Sequence, residues 1–311
     1  MGQKAWDARK QSRQADSELQ GEVEHVSDIR NIGVIGCGLM GSGIAQVCAC
    51  AGLAVRVAET NQDAMESGRA RLVNSLDTAV RREKLTEDQR QAALERLSFT
   101  TDLTELAGSD LVVEAVIERE EVKTQVFTTL DRVVRQPDAI LASNTSSMSI
   151  TTLAAATSRP EQVIGLHFFN PAPVQRLVEV IPALTTSQQT ITRVRELADN
   201  ILGKQTILAP DRSGFVVNAL LVPYLLSAVR MYQSGIATAE DIDQGMEAGC
   251  AHPMGPLRLC DLIGLDTLVS IAEAMYTEYR EPAYAAPPLL RRMVSAGRLG
   301  RKSGRGFYHY P

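Results

Sequence analysis

Residues 31–41 read Asn31-Ile32-Gly33-Val34-Ile35-Gly36-Cys37-Gly38-Leu39-Met40-Gly41, a short β-rich run that passes through G-x-G-x-x-G into a helical stretch. In a strand–turn–helix unit, Gly36 makes the tight turn, Gly38 lets backbone amides approach an anion, and Gly41 lets the helix pack on the strand. The helix start adds unpaired N–H groups and the positive end of its dipole. Tight strand–helix packing alone also produces this spacing, so context decides its meaning. Glu59 closes the next strand, 18 residues after Gly41, where an acid hydrogen-bonds ribose hydroxyls. A carboxylate there repels a 2′-phosphate and favours NAD over NADP. Arg56 lies inside that strand and is not at the usual phosphate-accepting position.

The pattern around the glycine turn fits this unit. Ile32–Ile35, Leu53–Ala58, Leu111–Val116 and Ile140–Ala142 read as strands buried on both faces. Helical stretches lie between them at Ser42–Ala51, Gln62–Arg82, Glu87–Arg96 and Glu120–Val134, the third opened by the capping box Thr86-Glu87-Asp88-Gln89. Alternation of this kind predicts a mainly parallel sheet of the Rossmann type, an α/β domain over 29–210. Residues 163–209 continue as strand, strand, helix, strand, with connections near His167 and Pro173 too short for a parallel crossover, so antiparallel strands are expected to join the same sheet. After the turn Ala209-Pro210-Asp211-Arg212-Ser213-Gly214, four helices are predicted at Phe215–Gln233, Ala239–Ala248, Leu257–Arg280 and Leu289–Ala296, the second capped at Thr238. These make a smaller all-α domain over 211–311.

Composition narrows the function classes. A chain of 311 residues, 44% hydrophobic and 22% charged, is long enough for two globular domains. A net charge of −5 argues against nucleic acid as a partner. Five cysteines without metal-ligand spacing point to reduced thiols in a cytoplasmic protein and no metal site. Residues 1–28 carry no apolar signal core, and Asp7, Asp16, Glu18, Glu22 and Glu24 disfavour a transit peptide, so the stretch reads as a flexible extension. The longest apolar run, Phe215 to Val229, is broken by Asn218, Pro223 and Ser227 and is too short to span a membrane. It predicts a buried helix or a subunit interface.

Two apolar strands carry polar residues. His167 lies in Val163–Phe169 and Glu179 in Leu177–Ile181, separated by the turn Asn170-Pro171-Ala172-Pro173. A carboxylate buried without a partner is costly, so a hairpin that pairs the two residues would satisfy both. An imidazole held by a carboxylate has a fixed tautomer, as a general base requires, although a purely structural pair has the same pattern. Asn144-Thr145-Ser146-Ser147 follows a strand at the carboxyl end of the sheet, where open α/β sheets bind ligands. It reads equally as a cap for a helix beginning near Ile150.

Taken together, Ser143-Asn144-Thr145-Ser146-Ser147, Gly165-Leu166-His167-Phe168-Phe169-Asn170-Pro171 and Leu177-Val178-Glu179-Val180 resemble the L-3-hydroxyacyl-CoA dehydrogenases, and within them the enzymes of 3-hydroxybutyryl-CoA. Gly214-Phe215-Val216-Val217-Asn218, His252-Pro253-Met254-Gly255-Pro256 and Gly304-Arg305-Gly306-Phe307-Tyr308 extend the likeness from about Asn31 to Tyr310. The resemblance implies an NAD-dependent interconversion of (S)-3-hydroxyacyl-CoA and 3-ketoacyl-CoA in fatty-acid or butyrate metabolism. His167 would be the base, Glu179 its orienting partner, and Ser146 and Asn218 the groups at the substrate's reacting end. It also implies NAD contacts at Gly36, Gly38, Leu39, Met40, Gly41, Glu59, Glu118, Lys123, Ser146, Asn170 and Lys302. Coenzyme A contacts are implied at Ser75 and Arg82, where Arg82 replaces the family's lysine; at position 59 the family usually has aspartate.

Two other readings use the same residues. A dehydrogenase of a free hydroxy acid or sugar acid could share the glycine loop and the His–Glu pair. Arg69, Arg71, Arg81, Arg82 and Lys84 argue for a thioester if they meet coenzyme A phosphates, and are otherwise a solvated helix face. A non-catalytic dinucleotide-binding protein on the same scaffold could have lost the base, yet His167, Glu179, Ser146 and Asn218 are all present. The apolar C-terminal helices predict a homodimer through that domain.

Overall fold

The computed structural model describes residues 28–310, and the expectation for the N-terminal extension lies, but for Asp28, outside the described residues. Eight strands form one sheet: β1 (Asn31–Ile35), β2 (Ala54–Ala58), β3 (Leu97–Thr100), β4 (Leu111–Glu114), β5 (Ile140–Ser143), β6 (Val163–Phe168), β7 (Leu177–Pro182) and β8 (Gln205–Leu208). Their spatial order is β3-β2-β1-β4-β5-β6-β7-β8. The first six are parallel; β7 is antiparallel to β6, and β8 runs parallel to β7. The chain therefore crosses over between β1 and β4, and the strand order reverses there, the position at which such sheets open a ligand crevice.

The uninterrupted apolar strands are explained by two cores. Leu111 and Val113 of β4, and Ile140 and Ala142 of β5, face one core, while Val112 and Leu141 face the other. Helices α1 (Leu39–Cys50) and α2 (Gln62–Arg81) cover the first face through Ile44, Cys48, Leu72 and Leu76. After α3 (Glu87–Glu95), helices α4 (Glu120–Val133) and α5 (Ile150–Ala155) cover the second with Phe127, Leu130 and Leu153. Helix α6 (Gln188–Glu196) joins β7 to β8. The capping box at Thr86 forms with Gln89, and Thr238 caps its helix by accepting the Asp241 N–H.

Among the described residues, β8 is followed by helices α7 (Val217–Gln233), α8 (Ala239–Cys250), α9 (Pro256–Ile263), α10 (Leu265–Tyr279) and α11 (Pro288–Ser295), with short 3₁₀ turns and isolated β-bridges at Gly300–Arg305 and Arg305–His309. They enclose a third core that includes Val222, Leu225, Leu226, Val229, Leu257, Leu268 and Met275. The single helix expected over Leu257–Arg280 is two helices, because Gly264 takes a φ of 100° that a continuing helix cannot accommodate. The helix expected from Phe215 starts at Val217, since Phe215 itself has a φ of 46°. Edge strand β3 has no counterpart among the sequence expectations: Leu97 and Phe99 are its only apolar residues, too few to stand out.

Candidate active site

The parallel strands bring their carboxyl ends to one edge of the sheet, and five successive loops there carry the candidate residues. Gly36, at the end of β1, has a φ of 87°, and a Cβ on it would lie 2.7 Å from the Ala115 carbonyl oxygen. At Gly41 a Cβ would come within 1.7 Å of the Gly36 carbonyl oxygen, so close helix–strand packing requires this glycine. Gly38 differs, because a Cβ there would meet nothing within 4 Å. Protein packing leaves room for a side chain at Gly38, so its absence suits a ligand. Among the described residues, no hydrogen bond within the protein occupies the N–H groups of Gly38, Leu39, Met40 or Gly41. Glu59, one residue past β2, accepts the Cys37 N–H at 2.5 Å and the Thr60 N–H at 3.0 Å, and so stands beside the loop. An open glycine, four free donors and an adjacent carboxylate fit a dinucleotide's pyrophosphate and ribose.

The loop after β4 is built on a buried ion pair. Glu114 is fully buried and accepts Lys123 Nζ at 2.6 Å, the Val116 N–H at 2.7 Å and Ser143 Oγ at 2.6 Å. Its bond to Val116 turns the chain, which is why the strand expected to reach Val116 ends at Glu114. Lys123 Nζ reaches Glu118 at 3.1 Å. Glu118 in turn accepts Thr145 Oγ1, the Ser146 N–H at 3.0 Å and Ser147 Oγ at 3.2 Å. Burial works to raise the Glu118 carboxyl, but the Lys123 charge and these hydrogen bonds outweigh it and hold the group below the ordinary range. The Lys123 side chain, where the resemblance implies an NAD contact, is 1% exposed and held between Glu114 and Glu118, so its charge also reaches the crevice through Glu118.

Ser146 lies in its own turn. Thr145 Oγ1 accepts the N–H groups of Ser147 and Met148, whereas the cap of α5 is Ser149, with Asp211 accepting the Ile150 and Thr151 N–H groups. The Asn-Thr-Ser-Ser cluster is therefore not the helix cap that its composition also allowed. Asn144 Oδ1 accepts the Phe168 N–H and ties this turn to the end of β6.

The antiparallel register pairs His167 directly with Glu179, which puts both side chains on the same face. His167 Nδ1 is 2.7 Å from Glu179 Oε2, and Glu179 is fully buried. Oε1 of Glu179 accepts the N–H groups of Val216 at 3.0 Å and Val217 at 2.9 Å, at the start of α7. A buried carboxylate thus finds one ring partner, two amides and the positive end of a helix dipole. With Glu179 as acceptor, Nδ1 carries the ring proton and Nε2 keeps its lone pair. The rings of Phe169 and Phe215 lie 4.6 Å and 5.5 Å from the imidazole centroid and shelter it from water. Asn218 is buried on the first turn of α7, one residue past an amide that Glu179 holds.

Other expected residues lie further out. Asn170 is exposed on the turn after β6, Ser75 is half-buried on α2, and Arg82 is exposed at that helix's end. Lys302 Nζ pairs with Asp266 at the start of α10, and among the described residues no contact joins it to the glycine loop. Of the five basic residues, Arg69 stacks over Phe99, Arg71 bonds the Cys37 carbonyl oxygen, and Arg81 bonds Thr78 Oγ1. Sequence reasoning missed Glu114, although a carboxylate inside an apolar strand is the same signal that exposed Glu179.

A dinucleotide cradle and a buried His–Glu proton pair, on one edge of a sheet joined to a helical bundle, define a two-domain nicotinamide-dependent oxidoreductase. Residues 31–212 match the 3-hydroxyacyl-CoA dehydrogenase NAD binding domain, and residues 214–310 match the C-terminal domain of the same enzymes. A 3-hydroxybutyryl-CoA dehydrogenase of Mycobacterium tuberculosis is 57% identical over 91% of this chain and 99% of its own. The crystal structure of M. tuberculosis FadB2 superposes with a TM-score of 0.90 at 57% identity, over 91% of this chain and 99% of that one. That of the (S)-3-hydroxybutyryl-CoA dehydrogenase PaaH1 from Ralstonia eutropha gives 0.86 at 45% identity, over 91% and 100%. The chain belongs to the 3-hydroxyacyl-CoA dehydrogenase family.

Proposed function

We propose that this NAD-dependent enzyme interconverts (S)-3-hydroxybutyryl-CoA and acetoacetyl-CoA, with His167 moving the proton. The observation that carries the reading is the 2.7 Å bond between His167 Nδ1 and Glu179 Oε2, which leaves Nε2 as the base. When bound, NAD supplies the hydride acceptor and, reduced, the donor. The protein's own work is then to move the proton and hold the geometry. In oxidation His167 Nε2 takes the proton of the 3-hydroxyl, and in reduction the imidazolium returns it to the carbonyl oxygen. Glu179 faces the imidazolium as it forms. Ser146 and Asn218 position the reacting oxygen and the thioester end, so orientation contributes as well as proton transfer.

The cofactor groups are Gly36, Gly38, Leu39, Met40, Gly41, Glu59, Glu118, Lys123, Ser146, Asn170 and Lys302; Ser75 and Arg82 serve coenzyme A. Residues 29–210 form the NAD unit and 211–311 the helical unit. The helical unit also joins two copies into a dimer, a reading supported by Leu220 and Ile236, which are 75% and 72% exposed. Five free cysteines support a reducing, cytoplasmic setting. NADH consumption with acetoacetyl-CoA, longer 3-ketoacyl-CoAs and free acetoacetate tests the proposal. Turnover is expected with the thioesters, fastest with the four-carbon one, and its absence with every thioester would overturn the reading.

A further inference from the structure

The glycine loop is held at one residue by three groups that its sequence motif does not contain. Cys37 donates its N–H to Glu59 Oε1, and its carbonyl oxygen accepts Arg71 Nη1 at 2.7 Å. Its side chain is packed against Gly68, one turn before Arg71 on α2. A Cβ on Gly68 would lie 2.4 Å from the Cys37 Cβ and 2.8 Å from its carbonyl oxygen. The missing side chain at position 68 therefore lets α2 approach closely enough for the guanidinium to reach the loop.

We infer that Arg71 is a positioning residue for cofactor binding: by holding the Cys37 carbonyl it aims the Gly38 N–H into the dinucleotide crevice. A trans peptide points its C=O and the following N–H in opposite directions. A carbonyl tied toward α2 thus turns the Gly38 N–H away from α2. A Cβ on Gly38 would meet nothing within 4 Å, and its N–H has no partner within the protein, among the described residues. Without the guanidinium, the Cys37–Gly38 peptide is free to rotate, and a preorganised donor is lost from the anion cradle. Arg71 is then withdrawn from the basic face that could meet coenzyme A phosphates, and its effect falls on the nucleotide alone.

The inference rests on the NAD-dependent reading, which wild-type turnover of acetoacetyl-CoA with NADH tests separately. Arg71→Met and Arg71→Lys are compared for ADP-ribose binding by calorimetry, for KM of NADH and of acetoacetyl-CoA, and for Tm. Loss of a charge-assisted hydrogen bond should weaken ADP-ribose and raise KM for NADH by about tenfold or more in Arg71→Met, with KM for acetoacetyl-CoA and kcat nearly unchanged. Lysine, which keeps one donor, should recover most of the loss. Gly68→Ala, which pushes α2 off Cys37, should reproduce the same selective effect if Arg71→Met fails to fold. Unchanged ADP-ribose affinity in a folded Arg71→Met, or an equal rise in KM for acetoacetyl-CoA, would overturn the assignment.

Discussion

Glu179→Gln removes a charge while keeping nearly the same shape, and the geometry around it dictates how the amide must turn. Oε1 serves two backbone donors, Val216 and Val217, while Oε2 faces His167 Nδ1. Only the carbonyl oxygen of glutamine can accept two N–H groups, so its NH2 is left facing Nδ1. Nδ1 must then accept, and the ring proton moves to Nε2, the atom that has to be free to receive the substrate's proton. The opposite amide orientation gives up two hydrogen bonds and strands buried donors, at roughly 3–5 kcal/mol, against about 1 kcal/mol regained at the imidazole. The net bias of about 2–4 kcal/mol toward the wrong tautomer amounts to roughly 30- to 1,000-fold. Losing the charge opposite the imidazolium costs about another tenfold. Oxidation of (S)-3-hydroxybutyryl-CoA at saturating NAD is therefore expected to fall by about 300- to 10,000-fold, with the NAD Kd nearly unchanged. Nitrogen-15 NMR of His167 should show the neutral ring's proton on Nε2 instead of Nδ1. A loss smaller than about tenfold, or a proton still on Nδ1, would refute the reasoning.

Gly38→Ala and Gly41→Ala should part company: the first should leave Tm within about 2 °C, since surface changes without clashes stay near 0.5 kcal/mol, yet weaken NADH binding at least tenfold. The second should destabilise the fold outright, because its Cβ overlaps the Gly36 carbonyl. Lys123→Met leaves Glu114 buried without its cation and is expected to cost about 3–5 kcal/mol in denaturant unfolding. It should also raise the pH of acid unfolding. A depressed carboxyl such as Glu118 contributes stability above its unfolded pKa, and that contribution is lost as pH falls through the lower folded value; an unmoved acid midpoint counts against this. Burial first, and then the Glu59 charge, push the Cys37 thiol up to about 11 despite Arg71. Iodoacetamide at pH 8 should therefore leave Cys37 unmodified and NADH binding intact, and labelling should accelerate only as pH approaches 11.

Much of this molecule was determined by the sequence itself, for reasons that are local. A strand, three spaced glycines and a helix start allow few arrangements, so the cradle and its neighbouring acid were legible from Gly36 to Glu59. His167 and Glu179 could be found because a polar group inside an apolar strand needs a partner wherever the strand goes. Thr86 and Thr238 announced their caps because a cap is decided within four residues.

What only the tertiary structure decided is which groups meet across long chain separations. Strand register set His167 opposite Glu179, and the return of the chain after β8 delivered Val216 and Val217 to the same carboxylate. The resemblance alone places Lys123 at the cofactor. Its neighbours on β4 turn it inward, where Glu114 fixes it and Glu118 passes its effect to the Ser146 turn. Arg71 reads as one cation of a solvated helix face until the packing of Gly68 on Cys37 brings it to the glycine loop. Residue types and their spacing state which buried polar groups must be satisfied. The fold, by choosing neighbours far apart in the chain, determines by whom.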